Sequence, residues 1–138
     1  EAAYQTFDGH IREGKFITRQ PTPRGVVDGA IETKSQGAGL SMVKFTGIYD
    51  TLLLANVTPV AAEKARASYA FIQPRDTMDT LGKTVGQAII GNICQQMSED
   101  QIIWDRKQYF ERPLLCDGDG PFAKFRRWFS QFLVEKTV

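Results

Sequence analysis

Met97-Ser-Glu-Asp-Gln-Ile-Ile-Trp-Asp-Arg-Lys-Gln-Tyr109 decides how the rest of the chain is read. At helical spacing Ile89, Ile93, Met97, Ile103 and Trp104 all fall within about 60° of Asp100. The stretch therefore reads as a helix with a carboxylate in the middle of an apolar stripe. An unpaired buried carboxylate costs several kcal/mol, so such a group neutralises, finds a partner or binds a metal. Upstream, Leu81, Val85, Ala88, Ile89, Ile93 and Met97 continue the stripe, and the helical period begins at Asp76. Gly82, Gly86 and Gly91 each weaken that helix by about 1 kcal/mol relative to alanine, and they permit close approach to a sheet. Ser98-Glu-Asp-Gln101 has the spacing of a capping box, so a break and restart at Ser98 is the rival reading.

Before Asp76 the period is two. Val26–Lys34 is a strand, followed by a turn over Ser35-Gln-Gly-Ala-Gly39. Leu40–Thr46 alternates, with Val43 and Phe45 on one face and Met42 and Lys44 on the other. Tyr49–Val57 carries Leu52-Leu53-Leu54 and ends at Thr58-Pro59-Val60, since proline cannot donate to a ladder. Glu63–Ile72 alternates again. Short connections favour an antiparallel meander. Residues 1 to 24 resist reading: Tyr4, Phe7 and Phe16-Ile17 suit a strand and a hairpin around Asp8-Gly9 or Glu13-Gly14, and Pro21-Thr-Pro-Arg-Gly25 breaks regular structure.

Downstream, Tyr109–Asp119 is a loop. Gly120-Pro121 opens a last helix, with Asp117 and Asp119 near its positive end. Phe122, Phe125, Trp128, Phe129, Phe132 and Leu133 form one aromatic face. Strands followed by a long helix predict a single α+β domain over residues 1–138. Its expected layout is a helix-grip: an antiparallel sheet with a long helix packed on one face, an apolar cavity between them, and a C-terminal aromatic helix.

The chain has 138 residues, 17 basic and 16 acidic side chains, and a net charge of +1. That balance argues against a nucleic-acid surface. No apolar run reaches the length of a membrane span, and the start is no signal peptide. The first residue is Glu1, which reads as a processed form or a piece of something longer. Cys94 and Cys116 lack metal-ligand spacing and read as packing residues in a reducing, cytoplasmic compartment rather than as a disulfide.

Asp100 has two readings from pattern alone. It is the carboxylate arm of a two-histidine, one-carboxylate iron site, or a helix-end acid beside Ser98 or paired with Arg106 or Lys107. Without further information the second leads. His10 is the sole histidine, lies in a polar segment and receives no role. One imidazole builds neither a facial triad nor a zinc site. Ile89, Ile93, Met97 and Trp104 are either plain core or the lining of a hydrophobic pocket. The aromatic face of the last helix reads as core.

Glu99-Asp100-Gln-Ile-Ile-Trp104-Asp-Arg-Lys107-Gln-Tyr109 resembles a segment of Rieske non-haem iron oxygenases. So does Arg112-Pro-Leu-Leu-Cys-Asp-Gly-Asp-Gly-Pro121 followed by Phe125-Arg-Arg-Trp-Phe-Ser-Gln-Phe132. Phe45-Thr-Gly-Ile-Tyr-Asp-Thr51 and Thr58-Pro59 are similar to the same group, and the resemblance is to oxygenase components of 3-ketosteroid 9α-hydroxylase and their sterol-desaturating relatives. The likeness covers roughly residues 40 to 134.

That resemblance implies a START-like catalytic domain and makes Asp100 one ligand of a mononuclear Fe(II), reversing the order of its two readings. Ile93, Met97, Trp104, Phe45, Leu53 and Phe71 then become lining for a steroid or aromatic-hydrocarbon substrate. The 2Fe-2S Rieske cluster would sit in a separate N-terminal domain, fed by a ferredoxin or reductase, and relatives of this kind assemble as homo-trimers. The sequence departs from the pattern, because it holds no Cys-x-His pairs and no two-histidine segment. It therefore reads as part of an oxidoreductase that is inactive alone. The alternative is a free-standing START-like module binding a lipid or aromatic ligand without catalysis.

Overall fold

A computed structural model describes residues 2–74, 80–117 and 119–134. Six strands come first: β1 (Ala2–Asp8), β2 (Ile11–Thr22), β3 (Gly25–Gln36), β4 (Leu40–Thr46), β5 (Thr51–Ala61) and β6 (Lys64–Ile72). Two helices follow, α1 (Thr80–Trp104) and α2 (Phe122–Ser130). The strands form one antiparallel sheet in chain order, β1-β2-β3-β4-β5-β6, so each pairs with its sequence neighbour through a short turn. The chain divides into two compact units, one of residues 1–73 with 121–138 and the other of residues 74–120.

The meander from β3 to β6 follows the period-two pattern. At Pro21–Gly25 the expected break is a tight hairpin instead. Pro21 pairs with Val26 inside the ladder, and only Pro23 and Arg24 lie outside it. The Thr22 hydroxyl closes the turn, donating to the Gly25 carbonyl at 2.7 Å and accepting from the Arg24 N–H at 3.2 Å. The hairpin between β1 and β2 turns over Gly9 and His10, with Gly9 at φ 50°, a left-handed conformation that glycine reaches without a Cβ penalty. Pro59 does not end β5 either. It sits where the register shifts against β6, and an irregularity tolerates a missing N–H.

Paired residues of antiparallel strands share a face. One face carries Phe7, Arg12, Phe16, Ile31, Val43, Phe45, Leu53 and Phe71, and α2 lies against its β1–β2 end. Leu53 (3% exposed) and Trp128 (7%) are the buried hydrophobic residues among those described. Trp128 reaches the sheet through Phe7, with ring centroids 6.1 Å apart, and its indole N–H donates to the Gly9 carbonyl at 2.9 Å. Gln131 Nε2 donates to the same carbonyl at 3.0 Å. The spacing of the aromatic residues explains this docking: Phe125, Phe129 and Phe132 flank Trp128 with centroids 5.1 to 6.5 Å away.

The expected helix-grip, a long helix packed on one face of the sheet, is not the observed architecture. The molecule is dominated by the six-stranded sheet, and the helix that docks on a strand is the nine-residue α2, at β1. The 25-residue α1 belongs to the second unit. The physical difference lies in the two faces. Aromatic residues make the α2 face continuous, whereas the α1 stripe thins out, with Gly91 open and Ile102, Ile103 and Trp104 all exposed.

The start of the helix at Asp76 lies outside the described residues. At Ser98 the helix does not break, because the hydroxyl donates back to the Cys94 carbonyl at 3.0 Å, four residues earlier, instead of capping. Cys94 and Cys116 are free and exposed, not packing residues. Asp119 spends its carboxylate on the preceding loop, accepting the Cys116 N–H at 2.6 Å, and α2 begins without a side-chain cap.

Candidate functional site

The sheet supplies one half of the expected lining. Leu53 and Phe71 are direct partners on β5 and β6, and Phe45 faces Thr51 one step along the same face. Val43 completes the row with Leu53, and Ile31 continues from Phe45 onto β3. These side chains form one apolar wall on the face against which α2 docks. Its edge is polar and tightly held: Thr51 is 1% exposed, accepts from Gln73 Nε2 at 2.9 Å and donates to the Tyr49 carbonyl.

The other residues lie on α1. Ile93, Met97, Asp100 and Trp104 follow at intervals of four, three and four, so they share one stripe of the helix. Ile93 and Met97 are half-buried, Asp100 is exposed and Trp104 is 50% exposed. The carboxylate is therefore flanked by apolar side chains of its own helix and open to solvent. Among the described residues no group of three or more His, Cys, Asp or Glu side chains could hold a metal ion. His10 lies in the β1–β2 turn, its ring edge-on to Phe132 at 5.5 Å.

Arg12 was invisible as a candidate in the sequence. It sits on the wall side of β2, aligned with Phe7 on β1 and Ser35 on β3, and its guanidinium lies over the Phe125 ring at 5.2 Å. Its Nε is buried with no hydrogen-bond partner. Burial pushes its pKa below the usual arginine value, because the charged form loses solvation. Beside it Ser35, itself buried, bonds the Ser41 hydroxyl at 2.8 Å. Only register reveals this grouping. In the sequence Arg12 is one charge among several in a polar stretch.

The opposite face is charged. Lys15 bonds Glu32 at 2.7 Å and Lys34 bonds Glu13 at 2.9 Å. The Lys15 hydrogen bond and charge, with a smaller contribution from Lys44, hold the Glu32 carboxyl below its ordinary range. Glu13, Glu32, Lys34 and Lys44 line an open depression of about 290 Å³ together with Met42 and Leu52. The two faces of the sheet thus differ in kind: one apolar with an unmatched cation, the other polar with matched ion pairs.

A family model described as the 3-ketosteroid 9alpha-hydroxylase C-terminal domain matches residues 1–133. Cholesterol 7-desaturase of Caenorhabditis elegans is 50% identical over 44 residues, covering 32% of this chain and 10% of that protein. A 3-ketosteroid-9-alpha-monooxygenase oxygenase component of Rhodococcus rhodochrous is 25% identical over 143 residues, covering 94% of this chain and 37% of the relative. Cholesterol 7-desaturase nvd of Xenopus laevis is 27% identical over 109 residues, covering 78% and 23%. The chain spans between a tenth and somewhat over a third of these relatives.

Proposed function

The chain belongs to the 3-ketosteroid 9α-hydroxylase C-terminal domain family, and from that premise we propose that it forms part of the catalytic domain of a steroid oxygenase. Family membership over residues 1–133 carries this reading. Both compact units then belong to one catalytic domain. The reaction class is dioxygen-dependent hydroxylation or desaturation of a hydrophobic steroid, with reducing equivalents from a ferredoxin or reductase. Phe45, Leu53 and Phe71 on the sheet, with Ile93, Met97 and Trp104 on α1, are the substrate-contacting residues in this reading. Burying apolar ligand surface against such side chains is worth roughly 25 cal/mol per Å² before the cost of immobilising the ligand.

An iron centre of the two-histidine, one-carboxylate kind would supply oxygen activation. This sequence does not fit such a centre by itself, since it has one histidine and the described residues hold no ligand cluster. In this reading Asp100 would hold one position of that centre, and the single histidine leaves its two imidazole positions unsupplied within these 138 residues. What the chain's own side chains do is bind and orient an apolar molecule and present a carboxylate from a helix. The single histidine also supports a second reading, a module that binds a lipid or aromatic ligand without catalysis.

Sequencing the transcript on the 5′ side of Glu1 separates the two. The oxygenase reading expects an open frame encoding a two-histidine segment and two Cys-x-His pairs. A start codon preceded by an in-frame stop, a few codons upstream, would overturn it and leave the ligand-binding module.

A further inference from the structure

We propose that the outer edge of β6 is a self-association surface. A second copy of this chain adds its own β6 antiparallel to Lys64–Ile72, joining the two six-stranded sheets into one. This goes beyond the oxygenase reading and does not depend on it.

β6 is the last strand of the sheet and pairs with β5 alone. Its outward N–H and C=O groups have no main-chain partner among the described residues. Residues 64–70 and 72 are all exposed, so the strand is open along its length. Folded proteins blunt such edges with proline, a bulge, short length or charge. β6 is nine residues long and holds no proline, and its ladder with β5 runs without a shift over residues 65–72. Its two cations stand at Lys64 and Arg66, which leaves residues 67–72 uncharged and rich in tyrosine, phenylalanine and isoleucine. An uncharged run of that composition is what another strand pairs with. The opposite edge differs: β1 has α2 against it and a register shift near its start.

The order of side chains fits the strand to its own reverse. A two-fold axis at Ser68, the middle residue, overlaps β6 with its copy end to end. On the face shared with Leu53, Phe71 then meets Ala65 of the second copy and Tyr69 meets Ala67, large against small. On the other face Lys64 meets Ile72, Arg66 meets Ala70, and Ser68 meets its own counterpart. Each cation lies opposite an uncharged side chain, and Tyr69 and Ile72, 38% and 51% exposed, gain cover. Sliding the copies until their charged ends overlap sets Arg66 opposite Arg66, which like-charge repulsion disfavours. Two-fold pairing uses both β6 edges at once, so assembly closes at two copies instead of growing into a fibre.

Sedimentation velocity of the 138-residue protein should show a concentration-dependent dimer. Ser68 is exposed, so Ser68→Lys and Ser68→Glu should melt close to the parent. Each sets two like charges against one another at the axis and should weaken the dimer at least about ten-fold. Mixing the two variants should restore it, because lysine then faces glutamate. Ser68→Thr, uncharged and suited to a strand, should dimerise like the parent. A parent that stays monomeric at about 300 µM overturns self-pairing and leaves the edge to a strand of another protein. A dimer that both charge variants leave intact, or that mixing does not restore, overturns pairing at Ser68. Hydrogen exchange on the unsubstituted protein decides even if the charge variants fail to fold. Amides of residues 64–72 should slow as concentration rises, and a dimer without that slowing overturns the edge.

Discussion

Replacing Trp128 tests how the sheet and its C-terminal helix are joined. The indole is 7% exposed, touches Phe7 on β1 and three phenylalanines of its own segment, and donates to the Gly9 carbonyl at 2.9 Å. Truncating a buried tryptophan to alanine costs about 3–5 kcal/mol, part transfer and part cavity. Against a total of about 5–15 kcal/mol, that is a large fraction of the molecule's stability. Trp128→Phe separates ring from hydrogen bond. It keeps most of the aromatic surface, and the Gly9 carbonyl still accepts from Gln131 Nε2 at 3.0 Å, so no buried acceptor is orphaned. Its cost should therefore fall near 1 kcal/mol. Urea unfolding followed by far-UV circular dichroism gives both numbers from midpoints, provided the slopes match. An alanine variant within about 1 kcal/mol of the parent would refute the docking of α2 on the β1–β2 turn.

Other perturbations follow from the same geometry. Leu53→Ala, at a position 3% exposed, should lose about 2–5 kcal/mol, read as a fall in thermal midpoint. Gly29→Ala would drive a methyl into the Thr46 carbonyl oxygen, and because the obstacle is backbone the loss should be about 1–3 kcal/mol or a failure to fold. Glu32 has a depressed folded pKa, so its pairing with Lys15 stabilises the fold above the ordinary carboxylate value of 4.5 and ceases to do so as pH falls through the lower folded value. Glu32→Gln should accordingly differ from the parent at neutral pH and converge with it in acid, as followed by urea midpoints across that range. Asp100→Ala should change the stability of this chain by less than about 0.5 kcal/mol, because the side chain is exposed, whereas the proposed oxygenase reading expects it to abolish iron binding by the full-length protein. Metal analysis beside a melting curve checks that contrast.

The strands from Val26 to Ile72 were legible because one face is apolar and the other charged, which imposes period two. β2 was not, since Arg12 and Thr18 interrupt its apolar face while Ile11 and Ile17 sit among Glu13, Lys15 and Arg19 on the other. Nothing in its own sequence marks the strand, and only pairing with β1 and β3 makes it one. The aromatic face of α2 was plain from its spacing, and so was the stripe of α1. Where a helix docks is a different kind of fact. It depends on complementary surfaces distant in sequence, which length and an apolar stripe do not specify. Of the candidate site, the wall residues Phe45, Leu53 and Phe71 were readable as one face. Arg12 was not, because its significance lies in which carboxylates turn away from it.

The ion pairs between β2 and β3 carry a consequence for how that hairpin finds its alignment. Glu13 opposes Lys34 and Lys15 opposes Glu32, so sign alternates both along and across this part of the ribbon, and Arg19 opposes Asp28 nearer its turn. Sliding one strand by two residues keeps every side chain on its proper face, so the apolar pattern alone does not forbid it. The charges do. A slide one way brings Glu13 opposite Glu32, and a slide the other way brings Lys15 opposite Lys34, juxtapositions that disfavour a ladder. Four exposed or half-exposed side chains that add little to stability as separate contacts therefore act together as a vernier, reading the correct alignment against its two nearest errors.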